Sequence, residues 1–174
     1  MAEAHSPRES RHVGTEAIVP LSEKAQALQT LVKEAFAEFS HEVGASLDLV
    51  QVTVAPDMLV PLCQTAKDDP RLDFKLILLL TAVDYKDRFQ MVYHLQSLTR
   101  EWTLVVKADL PYEDPHVPSV TSVWRGADWY EREMHELFGV VFDGHPNLAP
   151  LLLWEGFEGY PGRKSYPFYD YQEW

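Results

Sequence analysis

The sequence predicts an α+β fold: a two-layer sandwich in which a mixed β-sheet packs against helices, followed by an extended C-terminal segment. Apolar residues recur at helical spacing in residues 21–39 and alternate with polar ones in 47–54, 88–98 and 102–110. Helical and strand segments do not alternate strictly along the chain, which argues against a doubly wound parallel sheet. After residue 142 both periodicities end and Gly, Pro and aromatic residues take over. That is the composition of a segment lying on a surface rather than of a second core. The expected organisation is a flexible tail (1–20), an α+β domain (21–142) and an extended docking segment (143–174).

Residues 1–20 are polar and aperiodic, with no apolar face to bury. In 21–39, Ala25, Leu28, Leu31, Val32, Ala35, Phe36 and Phe39 recur at three and four residues behind Ser22, a good N-cap. The helix end is open, since residues 38–42 can already begin a strand. Val50, Val52 and Val54 alternate with Gln51 and Thr53 in a strand over 47–54. Pro56 suits the first turn of a helix over 56–67, with Met58, Leu59, Leu62, Cys63 and Ala66 on one side, although Pro61 withholds a donor near its start. The nearly continuous apolar run 74–83 reads as a buried strand. The strands 88–98 and 102–110 form a hairpin across the short break at 99–101. Residues 111–118 read as a proline-rich acidic loop, and 120–138 as mostly helix, which Arg125 and Gly126 can divide in two. Gly139 follows Leu137 and Phe138, where a C′ glycine belongs.

Charge and composition exclude several functions. Fifteen basic residues against 27 acidic give a net charge of −12, the wrong sign for nucleic acid or for an anionic lipid surface. The longest purely apolar run, residues 76–80, is far shorter than the roughly 20 residues that cross a bilayer. Residues 1–20 lack the apolar stretch of a signal peptide. The chain is therefore expected in the cytoplasm or on the cytoplasmic side of a membrane. Cys63 is the only cysteine, which forbids an internal disulfide and a cysteine-ligated cluster; it reads as a small packing residue.

Motifs for independent chemistry are incomplete. His135-Glu136 begins a zinc-protease pattern, but Gly139 stands where the second His belongs. Gly156, Gly159 and Gly162 have neither the spacing nor the following helix of a dinucleotide site. The carboxylates of Glu131, Glu133 and Glu136 invite an acid–base reading, yet Glu131 and Glu133 lie about 200° apart around a helix. Arg132 and Glu136 are spaced for an i,i+4 pair. A metal-dependent hydrolase using His135, His145 and nearby carboxylates and a stand-alone acidic adaptor are the competing readings. The aromatic end, Tyr166, Phe168, Tyr169, Tyr171 and Trp174, is expected at an interface, either with a partner or folded back on its own domain.

The run Trp129-Tyr-Glu-Arg-Glu-Met-His-Glu-Leu-Phe-Gly-Val-Val-Phe-Asp-Gly-His-Pro-Asn-Leu148 resembles the signature of the 30 kDa (C-type) subunit family of respiratory complex I (NADH:quinone oxidoreductase). Its Glu131, Arg132 and Glu133, then Glu136, Phe138 and Gly139, then Gly144, His145 and Pro146 match a pattern that joins a helix, its glycine stop and the following loop. Downstream, Arg163, Lys164, Tyr166 and Pro167 fit the family's closing motif, and the resemblance extends over residues 56–167. The chain departs from the family at His135 (usually aromatic), Glu136 (usually Asp), Ala149 and Pro150 (usually basic), Trp154 (Pro), Tyr160 (His), Gly162 (Leu) and Ser165 (Asp).

The resemblance implies a cofactor-free scaffold of the peripheral arm that docks on the 49 kDa (D-type) partner. FMN, iron–sulfur clusters and quinone would belong to partner subunits, with catalysis by the NADH-driven translocase as a whole. Related subunits of photosynthetic NDH-type complexes, membrane-bound hydrogenases and F420 dehydrogenases are the alternatives.

Overall fold

Ser22 caps the first helix as its position predicts. Its hydroxyl accepts the Ala25 N–H at 3.2 Å and opens α1 (Glu23–Ala35). The structure is a computed structural model that describes residues 21–167. The expectations for the tail 1–20 and for Phe168, Tyr169, Tyr171 and Trp174 lie outside those residues.

After α1 the chain forms a hairpin of two strands, β1 (His41–Ser46) and β2 (Leu49–Val54). Leu47 and Asp48, read from sequence as the start of one strand, are instead the turn, with φ of 49° and 67°. Positive φ at both central residues matches the right-handed twist of a tight hairpin. Neither residue is glycine, so Asp48 was the one weak local signal of the turn. The helix expected over 56–67 begins as a 3-10 turn (Pro56–Met58) and becomes α2 (Leu59–Asp68). Pro61 falls within the first turn of α2, where its missing N–H removes no helical bond.

A meander follows: β3 (Leu76–Asp84), β4 (Arg88–Ser97) and β5 (Trp102–Pro111). The five strands form one sheet in the order β1-β2-β5-β4-β3, antiparallel except for the parallel β2–β5 pair. One face is apolar. Val50, Val52 and Val54 of β2, Phe89, Met91, Tyr93 and Leu95 of β4, and Leu104, Val106, Ala108 and Leu110 of β5 join Leu28, Val32 and Phe36 of α1 and Leu59, Leu62 and Cys63 of α2 in one core. Cys63 is fully buried, and burial pushes its thiol pKa upward, so it stays protonated and inert.

The buried strand expected at 74–83 is in fact an edge strand. Ile77, Leu80 and Ala82 face the core, while Leu76, Leu78 and Leu79 stay exposed. A bulge between Ile77 and Leu79 shifts the alternation, and a run of apolar residues hides which half is inside. The helix expected over 120–138 is also shorter. Residues 120–126 form turns, with both Val123 and Trp124 N–H groups on the Val120 carbonyl, and α3 runs only over Ala127–Phe138. Gly139 ends it in the left-handed region (φ 73°), as predicted. The loop expected at 111–118 holds β6 (His116–Pro118), which pairs in parallel with β7 (Val141–Asp143).

Helix α3 lies along the free edge of β3. The Ala82 N–H meets the Met134 sulfur at 3.1 Å, the Tyr130 hydroxyl donates to the Leu78 carbonyl at 3.0 Å, and just before the helix the Trp124 indole N–H donates to the Phe74 carbonyl at 3.1 Å. Strand N–H and C=O groups lie in the plane of the sheet, so these contacts satisfy an edge that would otherwise template aggregation. The inward and outward halves of the meander should respond differently to truncation. Leu95→Ala is expected to lower unfolding free energy by about 2–5 kcal/mol, and Leu79→Ala by less than about 0.5 kcal/mol, as read by urea denaturation.

Candidate functional site

Three polar side chains of α3 hold backbone that has no regular structure of its own. Glu131 is fully buried. One carboxylate oxygen accepts the Val120 N–H (2.8 Å) and the other the Ser119 hydroxyl (2.6 Å). Burial pushes its carboxyl up to about 7, against the opposing pull of those two hydrogen bonds. Glu131 therefore fixes the turn before the helix.

Arg132 and Glu136 do not make the pair their spacing suggested. Arg132 donates to the carbonyls of Ala149 and Pro150, both at 2.9 Å. Glu136, also buried, accepts the N–H groups of Leu151, Leu152 and Leu153 at 2.9, 2.7 and 3.2 Å. One turn of helix thus clamps five consecutive residues, the cation on the carbonyls and the anion on the amides. Buried amides left without a partner would cost more than an ion pair on a helix surface returns, so the clamp is the better use of the two side chains. Glu133 is half-buried, and its side chain makes no hydrogen bond with the described residues.

His145 packs the loop after β7 against the same helix. Its side chain is fully buried. Nδ1 accepts the Asn147 N–H at 3.0 Å, which places the ring proton on Nε2. Nε2 lies 3.0 Å from an Asp128 oxygen and 3.9 Å from Glu131, although the approach is too oblique for an aligned hydrogen bond. Gly144 turns the chain into this loop at φ 81°, and Pro146 is exposed beyond it. Both Glu131 oxygens are already engaged. Among the described residues, no group of three His, Cys, Asp or Glu is arranged to hold a metal ion. His135 is likewise committed, with Nδ1 2.8 Å from the Val140 carbonyl.

The segment returns over the end of α3. Gly162 N–H donates to the Leu137 carbonyl (2.8 Å), Arg163 Nε to that of Phe138 (2.7 Å), and Lys164 N–H to Asp84 (2.8 Å). The Arg163 guanidinium lies over the rings of Tyr160, Phe89 and Tyr112 at 4.7, 5.0 and 5.4 Å. Phe138 meets Phe89 edge-on, and the Tyr166 ring stacks on Phe157. Pro167 is exposed. Gly139 and Gly162 are where the surfaces touch. A Cβ on Gly139 would lie 2.6 Å from the Tyr160 ring, and one on Gly162 would lie 2.9 Å from the Leu137 carbonyl. The glycine found at 162 is thus what lets this segment sit on the helix end.

Sequence reasoning missed Ser119, Asp128 and Asp84. Asp84 carries a faint signal, an acid two residues before Lys86, whose N–H it accepts at 2.6 Å. Its second bond, to Lys164 N–H, spans too much chain to be read locally.

Residues 52–172 match the family described as "Respiratory-chain NADH dehydrogenase, 30 Kd subunit". A C-type subunit of NADH-quinone oxidoreductase from Rhizobium meliloti (strain 1021) is 39% identical over 147 residues, which cover 83% of this chain and 80% of the relative. The C-type subunit of the same enzyme from Coxiella burnetii (strain RSA 331 / Henzerling II) is 34% identical, covering 82% of this chain and 78% of that one. Among solved structures, a trypsin-resistant fragment of Nqo5 superposes with a TM-score of 0.60 at 28% identity, covering 69% of this chain and 98% of the fragment. A chain of the membrane-bound sulfane sulfur reductase, an archaeal respiratory membrane complex, superposes with a TM-score of 0.70 at 26% identity, covering 83% and 86%.

Two variants probe the site. The Glu131 carboxyl ionises near 4.5 when unfolded and near 7 when folded. Between those values the unfolded state binds fewer protons, so this group makes stability fall as pH rises. Glu131→Gln, which keeps an oxygen for the Val120 N–H, removes that dependence. The stability of the variant relative to the parent should therefore climb across this window, as read by denaturation at several pH values. Gly139→Ala combines a left-handed φ with a clash and should cost about 1–3 kcal/mol in the same measurement.

Proposed function

The chain belongs to the 30 kDa subunit family of respiratory-chain NADH dehydrogenase, and from that membership we propose that it is a cofactor-free structural subunit of the peripheral arm of a proton-translocating NADH:quinone oxidoreductase. In this reading it docks on the 49 kDa partner, on the cytoplasmic side of the membrane. It supports electron transfer from NADH through iron–sulfur clusters to quinone without carrying FMN, a cluster or quinone itself. Catalysis belongs to the assembly, and this chain supplies no catalytic residue. No helix among the described residues is long and apolar enough to cross a membrane, in keeping with peripheral attachment.

The observation that carries the docking role is the set of large apolar side chains left bare. Trp129, Leu152 and Trp154 are 65%, 63% and 70% exposed. Trp129 lies one turn before Arg132 on α3, Leu152 is within the segment that Arg132 and Glu136 clamp, and Trp154 follows that segment. Leu76, Leu78 and Leu79 of β3 are exposed as well. Apolar surface of this kind marks an interface, and an obligate one should bury more than about 2,000 Å².

A second reading, the equivalent subunit of a related respiratory complex, is favoured by the likeness to the archaeal sulfane sulfur reductase chain. Tagging the chain in its native host and purifying it in mild detergent separates the readings. The first expects a fixed-ratio complex that contains an NADH-binding module, and the second expects a complex without one. Recovery of the tagged chain only as a well-behaved monomer would overturn both. Metal and flavin assays on the isolated chain are expected to find neither in stoichiometric amount.

A further inference from the structure

Resting on that docking reading, we propose that the groove between Arg125, Trp129 and Arg132 receives a carboxylate-bearing segment of the partner protein. The groove has a volume of about 680 Å³ and is built from three parts of the chain. The turn before α3 gives Ser122 and Arg125, the first turns of α3 give Asp128, Trp129 and Arg132, and the loop after β7 gives Asn147. Arg125 is exposed and makes no ion pair with a described residue. Arg132 spends its hydrogen bonds on two uncharged carbonyls, so contact leaves its charge unneutralised. The acid in the groove, Asp128, has an oxygen against His145 Nε2 at 3.0 Å. The groove thus sets two guanidinium groups and one carboxylate beside a bare indole, a locally positive patch in a chain whose net charge is −12.

That net charge helps to select the occupant. Nucleic acid or an anionic bilayer meets the repulsive field of the whole molecule. A protein segment with one or two carboxylates meets chiefly the local guanidinium pair. Guanidinium binds carboxylate through two parallel hydrogen bonds, and Trp and Arg are the side chains that dominate binding at the centre of protein interfaces. The apolar part of the segment lies on the Trp129 indole, with Ser122 and Asn147 as polar rim.

Arg125→Glu and Trp129→Ala test this, because both residues stand outside the bonds made by Glu131, Arg132 and Glu136. Each full-length variant, checked for an unchanged melting temperature, is titrated against the purified 49 kDa partner across a salt series. Each should bind about ten-fold more weakly, and Arg125→Glu should also flatten the salt dependence. A carboxylate-to-arginine change in the partner segment should restore Arg125→Glu. Parental affinity in both variants would overturn the groove while leaving the docking role standing. Failure of the unmodified chain to bind overturns that role and this inference with it. If Arg125→Glu leaves partner affinity intact but abolishes binding to phosphatidylglycerol vesicles, or abolishes self-association, the occupant is lipid or a second copy, and the proposal is overturned.

Discussion

The structure depends on the polar stripe of one short helix. Residues 144–167 contain no strand or helix, so much of their backbone lacks the hydrogen-bond ladder that regular structure provides, and buried N–H and C=O groups left unpaired cost free energy. Helix α3 supplies what is missing. Arg132 takes carbonyls, Glu136 takes three successive amides, and the carbonyls at the end of the helix take Gly162 and Arg163. On its other side the same helix seals the edge of β3 through Met134 and Tyr130. One element of 12 residues thus joins the sheet, the preceding turn and the returning segment. A Glu–Arg–x–x–x–Glu arrangement serves here as an instrument of backbone satisfaction.

This division explains what could be read in advance. The α+β class, the core faces of β2, β4 and β5, the Ser22 cap and the Gly139 stop all follow from signals confined to a few residues, and all appear in the structure. What escaped was non-local or lacked its usual residue type. The turn at Leu47 and Asp48 adopts positive φ without glycine. The apolar run at β3 conceals an edge strand, because periodicity reports which residues are oily and not how many neighbours a strand has. The partners of Arg132 and Glu136 lie far along the chain, and the local i,i+4 rule pointed each at the other.

The signature positions divide in the same way. Glu131, Glu136, Gly139, His145 and Arg163 are occupied with the chain's own backbone, rings and loops, so they hold the surface in shape without being the surface, while Arg132 both clamps the segment and lines the groove. The bare side chains stand beside them: Trp129 a turn before the clamp, Leu152 within it and Trp154 just after. Residues that fix the segment and residues left exposed on it are neighbours in sequence but have different physical tasks.

The parallel β2–β5 pair gives the sheet a seam. β3 pairs with β4 and β4 with β5, and β1 pairs with β2, all neighbours in sequence, but the two groups meet only across β2 and β5. Local pairings close quickly, whereas a pairing across a long stretch of chain must first overcome the entropy of the loop. The β2 edge has no partner until β5, the last strand of the sheet to be made, has left the ribosome. Until then that edge is a template for pairing with another chain.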